Sequence, residues 1–141
     1  SIDKLNFFKK ANKVNSNNDT RILWNGPNNW LLISSKKDLL NIINEKFKAT
    51  DFSITDISHS KAIIEIEGNN FKEILKKGCP YDIDQLTKNS SANSLFNGMA
   101  ITMDLIQDNP GKIRVMGLRS FGESLYHSIT DSCLEFGYKS I

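Results

Sequence analysis

The stretch from Met99 to Met116 constrains the fold of this chain more than any other. Met99, Ile101, Met103 and Leu105 alternate with Ala100, Thr102, Asp104 and Ile106, the period-two pattern that places one set of side chains on each face of a strand. Asp108-Asn109-Pro110-Gly111 then supplies turn chemistry, and Ile113-Arg114-Val115-Met116 resumes the strand pattern. The segment predicts an antiparallel β-hairpin.

The rest of the chain adds strands and helices without strict alternation. Thr20 to Trp24 and Trp30 to Ser34 are apolar runs separated by Asn25-Gly26-Pro27-Asn28-Asn29, which predicts two strands joined by a tight turn. From Asp38 to Phe47 the apolar residues Leu39, Ile42, Ile43 and Phe47 recur at helical spacing, and Ser35 with Asp38 resembles a helix-start pair. Phe52 to Ile57 and Lys61 to Glu67 both alternate as strands do. Asn70 with Glu73 predicts the cap of a helix carrying Phe71, Ile74 and Leu75 and ending near Gly78. Residues 82–94 are polar and read as loop with one short helical turn. Ser120-Phe121-Gly122-Glu123 has the form of a capping box, with Phe121, Leu125, Ile129, Cys133 and Phe136 along one face of a final helix that stops at Gly137. Residues 1–19, ending in the polar cluster Asn15-Ser16-Asn17-Asn18-Asp19, read as a loose N-terminal arm, with the folded domain over 20–141. The pattern as a whole predicts an α+β single domain, a mainly antiparallel sheet with about three helices on one face.

Composition narrows the function classes. At 141 residues the chain fits one core, and 18 Lys and Arg against 16 Asp and Glu leave a formal charge of +2 without a block of either sign. The lysines are scattered and the only arginines are Arg21, Arg114 and Arg119, so there is no basic stripe of the kind nucleic-acid binders show. Two cysteines, Cys79 and Cys133, are too few for a disulfide framework and lack paired metal-site spacing, which fits a reducing, cytoplasmic setting. No run approaches the roughly 18 apolar residues of a membrane span, and Ser1-Ile2-Asp3-Lys4 does not open a signal peptide.

Each cluster of reactive residues has a plainer reading. A nucleophilic cysteine would need Cys79 or Cys133 beside His59 or His127, yet Cys133 sits among the apolar positions of a helix, where a thiol packs as a small hydrophobe. Asp56-Ile57-Ser58-His59-Ser60 offers an acid and an imidazole, and also the residues of an Asx turn, which is the reading favoured. The two histidines, 68 positions apart, give no metal-ligand pair, and Gly68-Asn69-Asn70 has one glycine where a dinucleotide site would want several. Trp24, Trp30, Phe96 and Phe121 could stack a pterin but fit core or interface anchors better. Neither catalytic, cofactor-binding nor metal-binding residues are expected.

Several stretches together resemble one family. Ile22-Leu23-Trp24-Asn25-Gly26-Pro27-Asn28-Asn29-Trp30-Leu31-Leu32-Ile33 looks like its Trp, Gly-Pro, Trp-Leu-Leu signature. Asp56-Ile57-Ser58-His59-Ser60-Lys61 looks like its Asp-x-Ser-x-x-Arg strand pair with Lys61 in place of Arg, followed by Gly68 and Lys77-Gly78-Cys79-Pro80-Tyr81-Asp82. Arg119-Ser120-Phe121 and the helix ending Glu135-Phe136-Gly137 are similar to its C-terminal helix, while Ser91-Ala92-Asn93-Ser94-Leu95-Phe96 departs from the family's Cys-Ala-Gln-Thr-Leu-Leu. By this ordered set the chain resembles the gamma subunits of heterotetrameric sarcosine oxidases. The resemblance implies a fold similar to the folate-binding domain of aminomethyltransferases and alpha, beta and delta subunits as partners, alpha in contact. It also implies FAD, FMN, NAD and tetrahydrofolate held in those other subunits, and a supporting role in the oxidative demethylation of sarcosine to glycine. A stand-alone folate-binding or aminomethyl-transfer module is the alternative. Trp24, Trp30, His59, Arg119 and Phe121 are the expected interface residues.

Overall fold

In the computed structural model, which describes residues 1–141, every strand pair is antiparallel and three α-helices accompany the strands, so the α+β class is as the sequence predicts. The strands are divided between a three-stranded and a four-stranded sheet, and the chain groups into two units, Ser1–Ser58 and His59–Ile141.

The first unit is built on β1 (Val14–Ser16), β2 (Thr20–Gly26) and β3 (Asn29–Ser34), in that order across the sheet, followed by α1 (Leu39–Lys46). Pro27 and Asn28 make the β2–β3 turn, and Asn28 takes the left-handed conformation (φ 54°) that Asn tolerates better than most residues. Residues 1–19 are not a loose arm. Ile2, Leu5 and Val14 are buried, and β1 pairs with β2. The polar cluster works inward as well: Asn17 Oδ1 accepts from the Asp19 and Thr20 amides at 2.9 and 2.8 Å, and its Nδ2 donates to the Asp3 carboxylate at 3.1 Å. The three buried apolar residues are too irregularly spaced to show as strand or helix in the sequence.

Asp3 is the electrostatic centre of this segment. Its carboxylate pairs with the Lys36 ammonium and accepts from Thr20 Oγ1 at 2.9 Å. The Lys36 bond, with those from Asn17 and Thr20, lowers its pKa from 3.8 to about 2. A carboxylate lowered in the folded state stabilises it above the unfolded value, and that contribution disappears as pH falls. Asp3→Asn is therefore expected to flatten the pH dependence of the unfolding midpoint between 3.8 and about 2, while wild type loses stability across the window. Parallel profiles for the two proteins would refute this.

Two local expectations fail in this unit. Phe52 to Ile57 alternates in sequence but forms no strand: residues 51–56 are exposed and no neighbouring strand accepts their backbone bonds. Asp38, not Ser35, occupies the N-cap of α1 and makes no side-chain cap bond, while Ser35 Oγ turns to Asp19.

The second unit is a sheet of β4 (Lys61–Glu67), β5 (Ser90–Phe96), β6 (Met99–Asp108) and β7 (Gly111–Leu118) in the order β4-β7-β6-β5. Register places Ile64 and Met103 on either side of Val115, Ile66 and Leu105 on either side of Ile113, and Ala92 beside Met103, so these side chains share one face. Helices α2 (Phe71–Lys76) and α3 (Gly122–Cys133) cover it, since Phe71, Ile74, Leu75, Leu125, Ile129 and Cys133 join the same buried cluster. These two helices lie on one face of this sheet, where about three were expected, and α1 belongs to the Ser1–Ser58 unit. The β6–β7 hairpin turns through Asn109-Pro110.

Three corrections belong here. Residues 90–94, which the sequence reads as loop, belong to edge strand β5 (Ser90–Phe96), with Ser90, Ser91 and Ala92 buried; small polar side chains hide an alternation that the pairing with β6 reveals. Ser120 does not close a capping box: residues 119–121 form a 3-10 turn, Phe121 is the N-cap of α3 and it makes no side-chain cap bond. Phe121 and Phe136 are exposed, outside the core, and α3 ends at Cys133 rather than Gly137.

Candidate interface

The reactive residues are held apart or packed away. Cys79 and Cys133 are both buried free thiols, and Cys79 Sγ sits 3.4 Å from Ser94 Oγ rather than beside an imidazole. Burial pushes the Cys133 thiol up, opposite to what a nucleophile needs. Asp56 Oδ1 accepts from the Ser58 amide at 3.0 Å and from its hydroxyl at 2.5 Å, the Asx turn that its sequence favours, and His59 is exposed beyond it. No group of three or more His, Cys, Asp or Glu side chains is arranged to hold a metal ion. No helix is long and apolar enough to cross a membrane.

The five expected interface residues fall into two sets. Trp24 and Trp30 are a cross-strand pair on β2 and β3, both half-buried. His59 and Arg119 meet at the corner where β7 leaves the sheet, with Phe121 two residues further along the chain: the Arg119 amide donates to Ser60 O at 2.9 Å, and its Nη1 donates to His59 O at 3.4 Å. Phe121 (45 %) and Leu118 (45 %) are exposed at this corner, and so is Ile63 (51 %) on edge strand β4, where Lys61 pairs with Leu118.

Around Trp30 the structure assembles aromatic residues that the sequence did not group. The Phe7 ring stands edge-on to Trp30 at 5.2 Å and to Phe47 at 5.8 Å, and Phe47 meets Phe52 at 4.5 Å. Trp30 Nε1 donates to Phe8 O at 2.7 Å, which fixes the indole and leaves the Phe8 ring exposed. These residues come from the N-terminal segment, a hairpin, the end of α1 and the stretch after it. The one signal available in sequence is the repeated neighbourhood of Phe and Lys, in Phe7-Phe8-Lys9-Lys10 and Lys46-Phe47-Lys48.

No protein-family model matches the chain. Among curated proteins it is similar to the sarcosine oxidase subunit gamma of Corynebacterium sp. (strain U-96), with 26 % identity over 121 residues, 83 % of this chain. The chain spans 58 % of that relative's length. Among solved structures it resembles a chain of the heterotetrameric sarcosine oxidase from Corynebacterium sp. U-96 in complex with pyrrole 2-carboxylate, at a TM-score of 0.82 and 21 % identity, covering 94 % of this chain and 69 % of the other. The resemblance carried by the ordered motifs is thus met again across the sequence and across the fold.

Proposed function

We propose that the chain is a non-catalytic gamma-type subunit of a heterotetrameric sarcosine oxidase, supporting assembly through contact with the alpha-type chain. The observation that carries this reading is the likeness to a sarcosine oxidase gamma subunit over 121 residues, joined to the same fold at a TM-score of 0.82. The disposition of the reactive groups supports it, since the thiols are buried and Asp56 is spent on a turn. In this reading FAD, FMN, NAD and tetrahydrofolate are bound by the other subunits, and the complex demethylates sarcosine oxidatively to glycine with tetrahydrofolate and oxygen as acceptors. A cytoplasmic setting goes with two cysteines left unbridged.

Co-expression with alpha, beta and delta chains tests the proposal. The chain is expected to co-purify with them, and omitting it is expected to lower the yield of assembled, active complex. A complex that assembles and turns over fully without this chain would overturn the reading.

A further inference from the structure

We infer that the aromatic surface around Trp30, with the lysines that border it, docks an acidic segment of a partner chain that carries apolar side chains. The inference rests on the subunit reading above and adds which surface is used and what chemistry it receives.

The first observation is a continuous set of rings in the Ser1–Ser58 unit. Trp30, Phe7, Phe47 and Phe52 are linked by successive ring contacts of 5.2, 5.8 and 4.5 Å. Phe8 (40 %) and Phe52 (46 %) remain exposed at its two ends, together with Leu40 (39 %) and Ile54 (39 %) on the neighbouring stretches of chain. Rings already fixed by one another lose little conformational entropy on binding, which is why rigid aromatics concentrate binding energy. The Trp30 indole is held as well by its bond to Phe8 O.

The second observation is charge. Lys9, Lys10 and Lys13 follow the Phe7-Phe8 pair, and Lys46 and Lys48 flank Phe47; all five are exposed and none takes part in an ion pair. Lys13 is brought to the tryptophan pair by its carbonyl, which accepts from the Trp24 amide at 3.0 Å. Against these five lysines the same stretches carry two acids, Glu45 and Asp51. An apolar centre with a cationic border is complementary to an apolar segment with carboxylates at its margins, where rim charges set association rate and register. Elsewhere on the molecule Lys76 is paired with Glu73 and Asp84, and Lys77 with Glu135.

The test compares wild type, the double variant Lys9→Glu/Lys10→Glu, Phe8→Ala, and Lys139→Glu as a control in the C-terminal tail. Each is co-expressed with the alpha, beta and delta chains, and affinity is then measured by rebinding the purified chain to complex lacking it. The double variant and Phe8→Ala are expected to bind about tenfold or more weakly, roughly the loss of one hot-spot contact. The control should bind as wild type does, and the difference between wild type and the double variant should shrink as salt is raised. Unchanged circular dichroism and melting of the isolated variants would show that folding is intact. Wild-type assembly with equal affinity for all variants overturns the docking surface and leaves the subunit reading standing. Failure of the wild type to bind overturns both. Capture of single-stranded DNA by the isolated chain, lost in the double variant, would assign the patch to nucleic acid and overturn the inference as well.

Discussion

Phe96→Ala is expected to lower the unfolding free energy by about 3–5 kcal/mol, the range for truncating a fully buried aromatic. Phe96 ends β5, has no exposed surface, and lies in the buried cluster between the sheet and its helices. Its ring also sets the approach of the turn after α2. A Cβ on Gly78 would stand 2.9 Å from Phe96 Cε2 and Cζ and 2.6 Å from Asn97 Oδ1, closer than real contacts allow. Gly78 O in turn accepts from the Asn97 amide at 2.9 Å, so the glycine lets the end of a helix and a hairpin turn come together. The two sites must therefore couple. Gly78→Ala should be destabilising in wild type, and distinctly less so when Phe96 is already alanine, because only the side-chain tip of Asn97 then remains to be moved. Denaturant unfolding of the four proteins in that cycle reads the coupling directly. A Phe96→Ala loss under about 1 kcal/mol would mean that the cluster closes over the cavity and that the ring is not a keystone of this unit.

The sequence made the second unit easier to read than the first, for physical reasons. In β4, β6 and β7 the buried face is filled by Ile, Met, Leu and Val at every second position, so period and burial coincide. In β5 the same face is occupied by Ser90, Ala92 and Ser94 before Phe96, and small residues carry almost no hydrophobic signal even when they are covered. The N-terminal segment is anchored by Ile2, Leu5 and Val14, three side chains with no common period, together with the bonds of Asp3. Such anchoring is tertiary and leaves no local pattern. Alternation misled in the opposite direction at Phe52 to Ile57, where the pattern exists but no strand edge is available to pair with it. Helix starts show the same mismatch between local pattern and structure. Asp38, Asn70 and Phe121 all stand at N-caps without a side-chain cap bond, so tertiary packing rather than capping fixes where these helices begin. Of the residues proposed for an interface, Trp24 and Trp30 are legible as a pair because a strong turn fixes them opposite one another. Phe7, Phe8, Phe47 and Phe52 were not, since their grouping depends on the packing of segments up to 45 positions apart.

Gly111→Ala is expected to be among the most damaging single-methyl changes in the chain. Gly111 opens β7, and a Cβ there would lie 2.1 and 2.2 Å from Phe71 Cδ1 and Cε1 and 2.8 Å from the Gly68 carbonyl oxygen. Phe71 is the first residue of α2, buried to within 3 % of its surface, so its ring has no open space to swing into. The Gly68 oxygen is backbone, and the adjacent Gly68 amide is itself bonded to Gly111 O at 2.8 Å, so the two chains are already as close as a hydrogen bond holds them. Overpacking of this kind costs about 3 kcal/mol or more where neither neighbour can yield. The two obstacles can be separated. Phe71→Ala removes the ring and creates a cavity at a cost of about 3–5 kcal/mol by itself, and adding Gly111→Ala to it should cost far less than Gly111→Ala does in wild type, leaving only the approach to the Gly68 oxygen. Strictly additive losses would show that the backbone contact, not the ring, makes the position intolerant of a side chain. Because β7 runs from this glycine to Leu118 and on to Arg119 and Phe121, wild-type-like melting in Gly111→Ala would refute the expectation that the packing of α2 on β7 fixes the strand that presents the exposed corner.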